Sequence, residues 1–279
     1  MLNVARQQRL ADLRERIATI EKRPLLADGA ALLSEGEDRR SDWQALLKAP
    51  AGLLQEIYAD EERNSTAAFG FALGLARQLI TPARPAILFL QLTHEAQETG
   101  LPYGPGLKHF GFDPERLIIG RMATPAELLW AVEEAIACRA VAAVVAEVLG
   151  APKVFDFTAS RRLSLRAASG GASVFMLRYG VEREATAARL RWRIAPAVSR
   201  PPPFDDQAPG NPRWQVTIEK GRVRQGLVGM GLELLVDWTR DGFVPAVGGE
   251  RESAGGVRAY PAPYGAPSEA VGDRLSQAG

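Results

Sequence analysis

Apolar residues recur along this chain with two different periods, which predicts strands alternating with helices. Mainly apolar runs, expected for strands covered by helices on both faces of a parallel sheet, lie at 53–58, 86–91, 116–120, 141–148 and 173–177. Helical periodicity predicts helices at 66–80, 106–110, 125–139 and 158–168. The repeated order of strand, helix and strand predicts a doubly wound α/β core over residues 51–198.

The N-terminal residues 1–50 predict an amphipathic helix at 3–23 followed by a linker. One apolar stripe consists of Leu10, Leu13, Ile17 and Ile20, and Pro24 marks the end of the helix. This helix either packs on its own domain or forms an arm that binds a partner.

The pattern changes after Pro196. Residues 199–245 predict a proline-rich linker and then two strands at 214–219 and 232–238, which form a β-hairpin at the edge of the sheet. Residues 246–279 are mostly Gly, Ala and Pro with few large apolar side chains, so we expect a disordered tail.

Composition excludes some classes of site and compartment. The 279 residues carry a net charge of +1, which favours no nucleic-acid partner by itself. The single cysteine, Cys138, permits no internal disulfide and is interpreted as a buried thiol, and with two histidines the chain offers no zinc cluster. Charged residues interrupt the N-terminus and no apolar run is long enough for a membrane span, so we expect a cytoplasmic protein.

Short segments in a fixed order resemble a known family. The segments are 103–107 (YGPGL), 129–135 (LWAVEEA), 158–163 (TASRRL) and 191–196 (RWRIAP), followed by 212–214 (PRW) and 236–238 (VDW). Together they resemble ImuA, the inducible-mutagenesis accessory family, over roughly residues 8–240. The order of strands and helices also resembles RecA-type ATPases. The resemblance implies a RecA-like, mostly parallel sheet with an N-terminal helix and a C-terminal hairpin.

The family resemblance implies a role in SOS-induced translesion DNA synthesis. The implied partners are an ImuB-type polymerase-like protein, an error-prone DNA polymerase subunit and RecA, with DNA reached indirectly and association with the nucleoid after damage. Two alternatives stay open: a divergent RecA-like ATPase, and a cell-division inhibitor resembling SulA.

The turn after the first core strand stands where RecA-type ATPases carry their phosphate loop. A working loop needs two glycines, a lysine for the phosphates and a hydroxyl for magnesium. Ala59 and Asn64 replace the glycines and Ser65 replaces the lysine, so Thr66 alone keeps its type. We therefore predict a degenerate nucleotide site, with no cofactor, no metal and no catalysis.

Charge in the same turn favours that interpretation. Asp60, Glu61 and Glu62 face only one cation, Arg63. Each close carboxylate–phosphate pair is repelled by about 1 kcal/mol even at the dielectric of water. Glu147 ends the strand that would present a metal-binding carboxylate, but without phosphate we interpret it as a carboxylate in solvent or in an ion pair.

Several basic residues are candidates for partner or DNA contacts. Lys220, Arg222 and Arg224 belong to the loop between the last two predicted strands, and a solvated basic turn is their simplest interpretation. Arg189, Arg191 and Arg193 alternate with apolar residues, which predicts arginines on one face of an edge strand.

Overall fold

The computed structural model describes residue 47 and residues 51–202, 204–205, 207–221 and 233–246. The predicted helix with Leu10, Leu13, Ile17 and Ile20, the loop residues Arg222 and Arg224, and residues 247–279 lie outside the described residues. Within the described ranges, no helix is both long enough and apolar enough to cross a membrane.

The described chain alternates strands with helices in the predicted order. The strands are β1 (Leu54–Ala59), β2 (Ala86–Leu92), β3 (Leu117–Met122), β4 (Val141–Val148), β5 (Ser173–Tyr179), β6 (Leu190–Pro196), β7 (Arg213–Lys220), β8 (Glu233–Thr239) and β9 (Gly242–Pro245). The helices are α1 (Ser65–Arg77), α2 (Thr93–Thr99), α3 (Gly104–His109), α4 (Pro125–Ala137) and α5 (Phe157–Gly170), with short 3₁₀ turns at Glu62–Asn64 and Pro114–Arg116.

All of these strands belong to one sheet with the order β3-β2-β4-β5-β1-β6-β7-β8-β9. The pairs from β3 to β6 are parallel, and those from β6 to β9 are antiparallel. This mostly parallel sheet confirms the predicted α/β class and is consistent with a RecA-like fold.

Local sequence signals explain where the helices begin and end. Thr124 caps α4 by accepting a hydrogen bond from the Glu127 amide at 3.2 Å, while the Glu127 carboxylate accepts from the Ala123 amide at 2.9 Å. This reciprocal capping box satisfies two amides at the helix start. Gly171 ends α5 in the left-handed conformation, with φ of 78°, which glycine adopts without steric cost.

Helices cover both faces of the sheet and divide the core in two. On the α1 face, the Phe71 ring packs 5.7 Å from Trp192, 6.1 Å from Trp214 and 5.0 Å from Phe243, measured between ring centroids. Each buried aromatic side chain of this kind contributes about 2 kcal/mol. On the opposite face, α4 and α5 pack on β1, β2, β4 and β5 around a second apolar cluster.

The opposite face also carries an arginine network, whose members are Arg183, Arg191, Arg193, Glu56, Asp60 and Glu219. Arg191 binds the fully buried Glu56 carboxylate at 2.8 Å. Arg183 joins Asp60, at 2.6 Å, to Glu219, at 2.7 Å. Arg193 extends the network by contacting Asp60 at 3.5 Å. The network ties the end of β1 to β6 and β7.

Some local predictions were wrong. Arg191 and Arg193 do share a face, but β6 lies between β1 and β7 instead of at an edge, and β9 displaces the predicted hairpin from the edge. α3 begins at Gly104, two residues before the helix predicted at 106–110, since proline at position 105 is compatible with the first turn of a helix. Cys138 is exposed because it follows α4 where the chain turns over the surface.

Candidate functional site

The backbone of the turn after β1 folds into a bend and a 3₁₀ turn. Asp60 and Glu61 form a bend, and a 3₁₀ turn at Glu62–Asn64 leads directly into α1. The Asn64 amide donates to the Glu61 carbonyl at 3.0 Å, so it is already used within the turn. Asn64 precedes α1 with φ of −91° and its side chain caps no amide. The chain thus enters the helix without the glycine-rich loop that closes around phosphates.

The carboxylates of this turn lie before the N-terminus of α1, where a helix attracts an anionic ligand. A helix N-terminus attracts negative charge through its free amides and its dipole. Here the chain supplies that charge itself through Glu61 and Glu62, which stand just before α1. Glu61 pairs with Arg63, and Asp60 is held by the arginine network.

A cleft of about 770 Å³ opens beside the N-terminus of α1. Four of the residues predicted for the degenerate nucleotide site line it: Asn64, Ser65, Thr66 and Glu147. Ala59 does not line the cleft, because it is fully buried in the core on the α1 face. The volume lies within the range of about 300–1,000 Å³ that is usual for small-molecule and cofactor sites.

Glu147 forms part of the cleft floor, and its interpretation as a carboxylate in solvent or in an ion pair was wrong. It is 3% exposed, because β4 is an interior strand of the sheet. Its carboxylate accepts hydrogen bonds from the Tyr179 hydroxyl at 2.5 Å and from Gln91 Nε2 at 3.3 Å. Burial raises the pKa of the Glu147 carboxyl, and burial together with the Glu147 charge raises the pKa of Tyr179.

A second buried carboxyl lies behind the first. Glu95, in α2, accepts a hydrogen bond from the Leu149 amide at 3.4 Å. Burial raises its pKa, and the neighbouring Glu147 raises it further. Glu62 also raises the pKa of Glu147, which places a third carboxylate within electrostatic range. The floor therefore disfavours an additional negative charge.

Aromatic side chains form much of the walls of the cleft. Phe69, Phe89, Tyr103, Phe110 and Trp214 supply the apolar surface.

Two arginines also line the cleft, and both have carboxylate partners. Arg213 makes two bonds to Asp237, at 2.5 and 2.8 Å, and this pairing raises its pKa. Arg63 pairs with Glu61. Among the described residues, no lysine lines the cleft. Within the described part of the chain, no three His, Cys, Asp or Glu side chains are placed to hold a metal ion.

Sequence reasoning missed Gln91, Glu95 and Tyr179 as members of the site. Gln91 carried the clearest signal, since it is a polar residue near the end of an otherwise apolar strand. Tyr179 and Glu95 gave no signal of their own, because their role depends on which strands become neighbours.

Lys220 is separate from the cleft. It ends β7, and its Nζ donates to the Thr186 carbonyl at 2.5 Å. Burial and the nearby Arg191 lower the pKa of this ammonium group. Its role in partner contacts stays a prediction, and its predicted companions Arg222 and Arg224 are outside the described ranges.

Fold and site together define an α/β protein, consistent with a RecA-like fold, whose turn after β1 carries three carboxylates and has Ser65 at the position predicted to correspond to the lysine. No family model matches the chain. Protein ImuA from two strains of Caulobacter vibrioides is 43% identical to it over 130 residues, which are 43% of this chain and 51% of the relative. The match confirms the resemblance to ImuA over those 130 residues. The chain spans about half the length of the curated relatives it matches.

Proposed function

We propose that this chain is a non-catalytic accessory protein of SOS-induced translesion DNA synthesis, which acts by binding other proteins. The proposed partners are an ImuB-type polymerase-like protein, an error-prone polymerase subunit and RecA. The similarity to Protein ImuA supports the biological setting. The turn after β1 supports the absence of catalysis and is the observation on which the proposal depends.

The physical argument concerns a nucleotide placed in the cleft. Its phosphates would lie near Glu147, which lines the cleft, and Glu62 is within electrostatic range of Glu147. Among the described residues, no lysine lines the cleft to offset these charges. Each pair of charges 4 Å apart costs about 1 kcal/mol in water and about 4 kcal/mol near a protein surface. Arg63 and Arg213 offer little compensation, since each is already paired.

The first experiment is a calorimetric titration of the full chain with ATP and magnesium, with an active RecA as the positive control. We expect no binding at millimolar nucleotide and no phosphate release. Saturable binding at micromolar ATP would contradict the proposal.

The second experiment tests the partners. Affinity purification of the tagged full chain from cells treated with a DNA-damaging agent should recover RecA and the polymerase-like partner. A parallel purification from untreated cells serves as the control. Recovery of neither protein after damage would remove the proposed role.

A divergent ATPase is the second candidate, and one observation favours it. Thr66 and Glu147, which correspond to the magnesium hydroxyl and the strand-end carboxylate of an ATPase, line the same cleft. This candidate requires that Thr66→Ala and Glu147→Gln each abolish nucleotide binding by the wild-type protein. Equal calorimetric traces for the three proteins, all without binding, would eliminate it.

A further inference from the structure

The floor of the cleft contains a buried hydrogen-bond acceptor without a partner. The Gln91 side chain is fully buried and lines the cleft, and its Oε1 accepts no hydrogen bond from any described residue. Its Nε2 is committed to Glu147 at 3.3 Å and to Thr99 at 3.5 Å, which fixes the orientation of the amide. A buried acceptor left unpaired costs about 1–3 kcal/mol, so a donor that reached Oε1 would be stabilised.

The charge of the floor indicates what kind of donor would fit. Within the part of the chain that the structure describes, Glu147 receives hydrogen bonds from two neutral groups, Gln91 and Tyr179. The carboxylates of Glu62 and Glu95 add negative potential, which His94 beside Glu95 offsets in part. The floor therefore favours a positively charged group that donates hydrogen bonds.

The mouth of the cleft indicates what would carry that group. Tyr103 is 74% exposed and Leu101 48% exposed, and both line the cleft together with Phe69 and Trp214. Exposed aromatic and aliphatic side chains around a charged floor suit an apolar segment that carries one cation. Arginine fits better than lysine, because its guanidinium has five donors and stacks on aromatic rings.

We propose that the cleft binds an arginine side chain presented by an apolar segment of a partner protein. The guanidinium donates to Gln91 Oε1 and to the Glu147 carboxylate, while the flanking apolar side chains pack on Tyr103, Leu101 and Trp214. This inference rests on the proposed function, since it requires that no nucleotide fills the cleft. The degenerate nucleotide position then serves as a receptor for a protein partner.

The test uses two fluorescein-labelled peptides, Ala-Phe-Arg-Leu-Ala and the same peptide with citrulline, which has nearly the shape of arginine without its charge. Fluorescence anisotropy with the full chain should show at least about tenfold tighter binding of the arginine peptide, equivalent to one charged hydrogen-bonded contact. Equal affinities for the two peptides, or no binding of either, would overturn the inference.

Three variants locate the binding in the cleft. Glu147→Gln keeps the size of the side chain and should reduce the preference for arginine to within about twofold. Tyr103→Ala, at an exposed position, should weaken both peptides several-fold while keeping the preference. Glu134→Gln, an exposed carboxylate on α4, is the matched charge control and should change neither affinity. An unchanged preference in Glu147→Gln would place the arginine elsewhere and overturn the inference.

Two further outcomes identify failures of different kinds. Displacement of the arginine peptide by ATP and magnesium would show that the proposed function itself is wrong. Peptide affinity that falls as the protein concentration is raised would show that a second copy occupies the cleft, and the assignment to a partner protein would fail. If neither ATP nor peptide binds, the inference fails and the proposed function is unaffected.

Discussion

Each face of the sheet carries a buried carboxylate on a parallel strand, Glu56 on β1 and Glu147 on β4, but the groups around the two carboxylates differ. Across from α1, the arginine network supplies Glu56 with the guanidinium of Arg191, at 2.8 Å. On the α1 face, Glu147 receives only neutral donors and borders an open cleft. A carboxylate that the chain neutralises is part of the scaffold, whereas one that the chain leaves without a counter-charge is available for a ligand.

The largest expected effect is a loss of stability when the arginine network is broken at Arg191. Arg191→Met would leave the fully buried Glu56 carboxylate without its partner, which costs about 3–5 kcal/mol for a buried pair. Urea unfolding should show this loss in the free energy of unfolding.

Arg193→Met is the control for the same measurement, because its side chain is 39% exposed and such pairs contribute about 1 kcal/mol or less. Equal losses of unfolding free energy in the two variants would show that the stability contributed by the network does not depend on burial.

The next prediction compares two glycines of α1: Gly74, which is packed against aromatic rings, and Gly70, which lies beside the cleft. A Cβ on Gly74 would lie 2.6 Å from the Phe243 ring and 2.8 Å from the Trp238 ring, so Gly74→Ala should destabilise by about 1–3 kcal/mol. A Cβ on Gly70, at the cleft, would meet only Trp214 at 3.4 Å. Gly70→Ala should therefore stabilise by up to about 1 kcal/mol through helix propensity. Thermal unfolding of both variants measures the two changes in stability. Changes of the same sign would contradict the prediction.

The smallest expected effect is a pH dependence at the cleft floor. Burial raises the pKa of Glu147 in the folded state, so the folded protein binds more protons than the unfolded chain above the ordinary carboxyl value of 4.5. The free energy of unfolding therefore falls as the pH rises from 4.5 through the raised pKa of Glu147. Glu147→Gln removes this loss, and it should be more stable than the wild type at pH 7.

The difference between Glu147→Gln and the wild type should shrink as the pH falls toward 4.5, the ordinary carboxyl value, and should be lost below it. Urea unfolding across pH 4–8 measures it. Glu134→Gln, with an exposed carboxyl, should follow the wild type at each pH. A constant difference between Glu147→Gln and the wild type would show that the carboxyl does not titrate as inferred.

Much of the fold could be predicted because its signals are local. The apolar run at 141–148 matches β4 residue for residue, since an interior strand must be apolar on both faces. The end of α1 was less certain: the helix ends at Arg77 and not at residue 80, because the apolar pattern continues past the last helical turn.

The position of β6 could not be predicted from its own residues. Alternating arginines favour an edge strand when their partners are unknown, and the partner of Arg191 is Glu56, 135 positions away in the chain. Likewise, Gln91, Glu147 and Tyr179 belong to three different strands, so no local pattern indicated that they form one hydrogen-bonded group.

The sequence by itself determined the order of strands and helices, and it determined that the turn after β1 has neither the glycines nor the lysine of a phosphate loop. Those features depend on residue types and short spacings. Only the tertiary structure decided which carboxylates meet an arginine and which face the cleft. The reason is that the strand order brings distant residues together, and the environment each carboxylate then meets determines whether its charge is neutralised or left for a ligand.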